Sequence, residues 1–172
     1  MTPKSYSAPW GRRIWLITLP VVLLGLAVAV VLPLVIKDPK KPIDLWVLPA
    51  LFAAIYGTTA LFCVRGYEIT DEAILVKRSF WRNKIPIADV TSAEVDPEAC
   101  KGAFKTIGND GLFAMHGRFR SKRLGKFQAF VTDPGNSVIL RTREVTTVIS
   151  PENPRQFVNE LSRRLRKREG DR

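Results

Sequence analysis

The sequence predicts an α+β membrane protein in which two apolar helices precede a small domain that is mostly β. Two observations support this class. Residues 14–36 and 45–64 contain no charged side chain, whereas residues 65–172 hold 21 of the 27 Lys and Arg and 14 of the 16 Asp and Glu. About 108 residues suffice for one small domain with its own core. We therefore divide the chain into an N-terminal segment, 1–13, a helical hairpin, 14–64, and a folded domain, 65–172.

The two apolar runs are each long enough to cross a bilayer as a helix. They contain 23 and 20 residues, and at about 1.5 Å per residue they match a hydrocarbon core of about 30 Å. Backbone in lipid must satisfy its own N–H and C=O groups, so isolated spans are helical. A secretory signal peptide is the alternative for the first run, because Arg12 and Arg13 precede it and residues 27–29 are typical of a cleavage site. Apolar residues continue to position 36, which favours a retained span.

Lys and Arg near the ends of the runs predict the orientation. Eight of them flank the outer ends of the pair and three lie in the connection: Lys4, Arg12, Arg13, Arg65, Lys77, Arg78, Arg82 and Lys84 against Lys37, Lys40 and Lys41. Positive charge stays on the cytoplasmic side. We therefore expect a multi-pass protein of the inner or plasma membrane with both termini and the domain in the cytoplasm.

Residues 66–149 predict a series of short strands. Runs rich in β-branched and aromatic residues are bounded by turn residues, as in the Asp-Pro-Gly-Asn sequence at 133–136. The predicted strands are 66–70, 73–78, 83–87, 90–95, 126–132, 138–142 and 145–149. Residues 96–124 combine glycines with many charges, and we predict a long connection there.

The last element changes to a helical period. Asn153 can cap a helix and Pro154 can take its first position. One face of that helix is apolar, through Phe157, Val158, Leu161 and Leu165. About seven short strands followed by one amphipathic helix is the order of a pleckstrin-homology-like (PH-like) split β-barrel, in which the C-terminal helix caps one opening.

Spaced glycines and aromatic residues in the second half of the domain also resemble a known family. They are Gly108-Asn109-Asp110-Gly111-Leu112-Phe113, Gly117-Arg118-Phe119, Leu124-Gly125, Phe130-Val131-Thr132-Asp133-Pro134 and Leu140-Arg141-Thr142. Together with the N-terminal apolar hairpin, they resemble the bacterial PH-domain membrane proteins over roughly residues 66–165. The resemblance implies a PH-like split barrel and supplies no catalytic motif.

A cluster of cations interleaved with aromatic side chains is the candidate binding site. Its residues are Arg118, Phe119, Arg120, Lys122, Arg123 and Lys126. Like charges this close repel one another unless an anion offsets them. Anionic lipid headgroups or an acidic partner protein are the expected ligands, and each Lys or Arg near a lipid surface contributes about 1 kcal/mol. The alternative is a solvated charged loop whose phenylalanines belong to the core.

Other chemistries find little support in the sequence. His116 is the only histidine, and Cys63 lies in an apolar run apart from Cys100, so we expect no metal, no cofactor and no catalytic residues. The charged residues that a transport pathway needs are absent from both runs. A pI of about 10.1 is typical of proteins that bind nucleic acid. The predicted membrane topology accounts for the same excess of Lys and Arg, so we do not expect a nucleic-acid partner.

Two functions follow. The first is a membrane-anchored PH-like binding or scaffolding module that contacts anionic lipid headgroups or an acidic partner through the basic loop. The alternative is a structural accessory subunit of a larger membrane complex with no ligand of its own. A homo-oligomer is a further expectation, because small residues such as Gly25 and Ala29 allow helices to approach closely.

Overall fold

The computed structural model describes residues 3–35, 44–110 and 112–170. The helices are α1 (Arg12–Val35), α2 (Asp44–Leu61) and α3 (Pro154–Gly170). The strands are β1 (Lys4–Ser7), β2 (Val64–Ile69), β3 (Ala73–Arg78), β4 (Arg82–Pro86), β5 (Val90–Val95), β6 (Phe104–Asp110), β7 (Met115–Ser121), β8 (Gly125–Val131), β9 (Val138–Thr142) and β10 (Thr146–Ile149). The seven strands predicted from the sequence are present as β2 to β5 and β8 to β10.

The strands form two open sheets. One has the order β1-β2-β3-β4 and the other the order β5-β9-β10-β8-β7-β6. Neighbouring strands are antiparallel except β8 and β10, which are parallel. No ladder joins the two sheets within the described residues, so the predicted barrel is not closed. One physical reason is that β1 occupies the outer edge of β2 and leaves that edge no further partner.

The main hydrophobic core lies between the two sheets and α3. Phe157 and Leu161 of α3 are fully buried in it, which confirms the predicted apolar face of this helix. The helix begins at Pro154, and the carbonyl of Asn153 accepts a hydrogen bond from the N–H of Phe157. A second cluster, which includes Phe119 and Phe127, covers the opposite face of the six-stranded sheet.

Strand β1 is not predicted by the sequence, which indicates only an N-terminal segment at residues 1–13. It pairs with β2 in antiparallel register, and Tyr6 faces Tyr67 across the ladder. The Tyr6 side chain is buried, with its ring 5.1 Å from that of Phe157. Four residues with one large apolar side chain give no alternating pattern that would predict a strand.

The predicted long connection at 96–124 is wrong, because it contains the hairpin of β6 and β7. Gly108 and Gly117 face each other across this hairpin with φ of 127° and 120°. A side chain at either position would strike the opposite backbone, so glycine is required there. Because β6 is an edge strand with mostly exposed residues, its sequence lacks the apolar alternation of a half-buried strand. Gly111 lies outside the described residues.

The apolar helices support one candidate membrane span. Within the part of the chain that the structure describes, only residues 12–31 of α1 are long and apolar enough to cross a bilayer. The apolar stretch found in the described part of α2, Pro49–Leu61, has 13 residues. The helix itself ends at Leu61, three residues before the predicted limit, and β2 begins at Val64. The two helices nevertheless touch, as the Tyr56 hydroxyl donates to the carbonyl of Val21 at 2.7 Å. The connection at 36–43 lies outside the described residues.

Candidate functional site

Three of the candidate cations share one face of the six-stranded sheet. Arg118 and Arg120 occupy alternate exposed positions of β7, and Arg120 lies opposite Lys126 of β8. The side chain between the two arginines, Phe119, points to the other face, where it is buried and stacks on Phe127 at 5.9 Å between ring centroids. Alternation along β7 therefore separates the arginines from the phenylalanine, which belongs to the core.

Two exposed apolar side chains of β6 lie beside these cations. Phe104 is opposite Arg120 and Ile107 is opposite Arg118, and the two are 58% and 64% exposed. Together the five residues line an open groove of about 740 Å³. We call this surface, formed by Phe104, Ile107, Arg118, Arg120 and Lys126, the basic groove.

The basic groove carries an excess of positive charge. Among the described residues, none of Arg118, Arg120 and Lys126 forms an ion pair, and Glu144 is the one acidic side chain in its lining. Repulsion between three cations held on adjacent positions is relieved when an anion binds. The arrangement therefore suits an acidic ligand that also offers apolar contacts.

The remaining two candidate cations lie outside the groove. Lys122 and Arg123 belong to the turn between β7 and β8, where both are exposed. Arg123 forms an ion pair with Asp96, although no acidic residue is near it in the sequence. Asp96 therefore offsets the charge of Arg123 in the folded domain, a contact between residues that are distant in sequence.

The opposite end of β7 lies against the apolar helices. Asp110, the last residue of β6, pairs with Arg13 of α1 at 3.5 Å, and the N–H of Phe113 donates to the Thr18 hydroxyl at 3.0 Å. The ring of His116 stacks on that of Phe62, just after α2, at 5.4 Å. We call this the helix-proximal end of the domain. Arg120 is five residues from Met115, or about 17 Å along the strand.

Arg78, which sequence analysis used only for its charge, organises the helix-proximal end. Its guanidinium lies over the rings of Phe130, Trp81 and Phe62 at 5.0, 5.6 and 6.0 Å. It also donates to the carbonyl of Phe62 at 3.1 Å. Burial lowers the pKa of Arg78 because it removes water from the charged guanidinium. Cation–π attraction to the surrounding rings compensates part of this loss of hydration. Nothing in the sequence distinguishes Arg78 from the basic residues around it.

Comparison with known proteins assigns the domain. A family model described as a bacterial PH domain matches residues 65–165, which is more than half of the chain. The chain belongs to this family. Comparison with curated proteins and with solved structures finds no match.

The family match confirms the resemblance noted in the sequence and indicates a binding or scaffolding module in general terms. The matched part of the PH domain runs from β2 into α3, so β1 and both apolar helices lie outside it. Within the described residues, no group of three or more His, Cys, Asp or Glu is placed to hold a metal ion.

Proposed function

We propose that this chain is a membrane-anchored PH-like module that binds an acidic partner through the basic groove. The observation that carries the proposal is that Arg118, Arg120 and Lys126 share one open face and have no ion pair among the described residues. Each charge-assisted hydrogen bond from these side chains to a carboxylate is worth more than a neutral one.

The ligand is best described as an acidic, partly apolar segment of another protein. Phe104 and Ile107 offer exposed apolar surface beside the cations, which apolar side chains of a protein segment can cover. Arg118 and Arg120 of the groove also lie about 10 and 17 Å along β7 from Met115, which is at the end that contacts α1. Surface potential decays over a Debye length of about 10 Å at 0.1 M salt, so the bilayer that α1 enters attracts the groove weakly.

The pairing of β1 with β2 supports membrane anchoring by two crossings. Both strands belong to one sheet, although α1 and α2 lie between them in sequence. If α1 crosses the bilayer, the chain has to return before Val64, and α2 is the segment in position to do so. Its 18 residues reach about 27 Å as a helix, close to a hydrocarbon core of about 30 Å. The excess of Lys and Arg beside the outer ends favours a cytoplasmic domain.

The groove is tested with the full chain in nanodiscs of neutral lipid. Fluorescent polyglutamate is the probe, read by anisotropy, and anionic vesicles form a second arm. We expect the peptide to bind at low salt and the triple variant R118S/R120S/K126S to lose most of this binding. The control R155S/R166S/R168S removes three exposed charges from α3 and retains it. Arg164 is not used, because it is buried and paired with Asp71 and Glu160.

The outcomes separate the alternatives. Equal losses in the two triple variants would mean diffuse charge attraction without a site. Binding to anionic vesicles but not to polyglutamate would replace the protein partner by lipid. If neither probe binds, a structural accessory subunit is the better account of the chain.

A further inference from the structure

The turn between β3 and β4 exposes a large aromatic surface that the basic groove does not use. Phe80 is 79% exposed and its neighbour Trp81 is 37% exposed. Adjacent exposed aromatic residues on a folded domain mark a surface that another apolar phase covers. We call residues 79–82 the aromatic turn.

The aromatic turn is fixed to the helix-proximal end. The Trp81 ring meets that of Phe62, one residue beyond α2, at 5.0 Å in an edge-to-face arrangement. Arg78 contacts both rings, and the Nε of Arg65 donates to the Ser79 hydroxyl at 3.2 Å. The position of Phe80 is therefore set relative to the point where the chain leaves α2.

Aromatic rings also surround the beginning of α1 at the same end. Trp10 lies 5.1 Å from Trp15 and 5.8 Å from Phe113, measured between ring centroids. Trp rings collect at the level of the lipid headgroups, where an apolar body and a polar N–H are both satisfied. The aromatic turn continues this girdle around the end of α2.

We infer that the aromatic turn inserts into the headgroup layer of the bilayer that α1 enters and so forms a second attachment of the domain. The inference rests on the membrane anchoring in the proposed function. Exposed Arg65, which donates to Ser79 of the turn, and exposed Arg82, the last residue of the turn, attract anionic headgroups. Arg82 also lies 3.8 Å from Glu68. A second copy of the chain is a poorer occupant, because two such turns would bring like charges together. With both attachments in place, the domain is held in one orientation on the membrane.

The insertion is tested by depth-dependent quenching on the full chain in liposomes. An environment-sensitive fluorophore is placed at Phe80→Cys in a C63A/C100A background, and lipids with a shallow nitroxide or with a deep nitroxide are the quenchers, the deep one for the probe at position 24. Phe104→Cys is the matched control, since Phe104 is also an exposed phenylalanine but lies at the far end of the β6–β7 hairpin. Leu24→Cys, 66% exposed on α1, reports on membrane anchoring itself. A genetically encoded fluorescent amino acid at the same positions repeats the measurement without replacing the cysteines.

We expect the probes at positions 24 and 80 to be quenched several-fold more than the probe at 104. Quenching at 24 with equally weak quenching at 80 and 104 would overturn the inference and leave the anchoring intact. Equally strong quenching at 80 and 104 would also overturn it, because the domain would then lie flat on the surface. Absence of quenching at all three positions would refute the anchoring and the inference together.

Discussion

Arg78 is the residue through which the β domain holds the end of α2. Its guanidinium contacts three aromatic rings and donates to the carbonyl of Phe62. This carbonyl lies just beyond the last turn of α2, where C=O groups need a partner from outside the helix. A cation near a helix C-terminus is also favoured by the helix dipole. One side chain therefore joins α2, the aromatic turn and the core at Phe130. Arg78, whose charge contributes to the predicted orientation, therefore also has a structural role.

His116 is the neighbour that makes this junction sensitive to pH. Burial, with a smaller contribution from the positive charge of Arg78, lowers the pKa of His116 to about 4 from an ordinary value of about 6.5. The unfolded chain then binds the proton at higher pH than the folded chain. The stabilisation is complete above about pH 6.5 and is lost as the pH falls through about 4.

We therefore expect the unfolding temperature of the full chain in mild detergent to fall between pH 7 and pH 4.5. His116→Gln keeps a neutral polar side chain and should flatten this dependence, because it has no proton to gain. Thermal melts of both proteins across this range measure the difference. Parallel curves for the two proteins would show that carboxylates, and not His116, cause the loss.

At the scale of elements, the best predicted helices and strands have a regular repeat of apolar or β-branched residues and capping or turn residues at their ends. The α3 helix follows Asn153, a residue typical of helix N-caps, and has a proline at its first position and an apolar stripe, and each of these is local in sequence. The strands from β2 to β5 and from β8 to β10 carry β-branched residues bounded by turns. Their sheet order is not local, since β10 lies between β8 and β9.

The candidate site was predicted only in part, because some of its features are local in sequence and others depend on the fold. The cluster of cations between Arg118 and Lys126 is visible as composition, but its division depends on β7 being a strand. Because successive side chains of a strand point to opposite faces, Phe119 lies in the core and Arg118 and Arg120 lie in the groove. The pairing of Arg123 with Asp96 joins residues far apart in sequence, so no local pattern predicts it.

Strand β1 contributes to stability through Tyr6. Tyr6→Ala should cost about 3–5 kcal/mol of the free energy of unfolding, because it removes a buried ring that packs on Phe157. Tyr6→Phe is the matched control. The Tyr6 hydroxyl is buried with no hydrogen-bond partner among the described residues, so its removal should be neutral or stabilising.

Urea unfolding of the full chain in mild detergent compares the three proteins. The comparison requires residues 3–8, so a fragment that starts at β2 would not serve. Equal midpoints for Tyr6→Ala and Tyr6→Phe would mean that β1 does not form.

At the scale of the whole molecule, β1 makes the N-terminus part of the domain that follows the apolar helices. The chain leaves this domain after β1, passes through α1 and α2, and returns to the same sheet at β2. The helix-proximal end and the basic groove then lie at different ends of β7. The proposed membrane contacts and the proposed partner contacts occupy separate surfaces, so one domain has room for both.

This arrangement makes a prediction about topology that has two independent parts. In intact cells, Lys122→Cys in a C63A/C100A background should resist a membrane-impermeant maleimide and react after permeabilisation, because Lys and Arg favour a cytoplasmic domain by eight to three. Lys122 is an exposed turn residue, so a cysteine there is accessible once the reagent enters. Asp38→Cys, in the connection, should react in intact cells.

Ser5→Cys separates the orientation from the fold. Ser5 is exposed and pairs with Glu68 in the β1–β2 ladder, so its cysteine has to show the same protection as Lys122→Cys. Reaction of both cysteines in intact cells would reverse the orientation and leave the ladder intact. Reaction of Ser5→Cys alone would place β1 and the domain on opposite sides of the membrane. That result would exclude the ladder, and with it the argument that α2 carries the chain back across the bilayer.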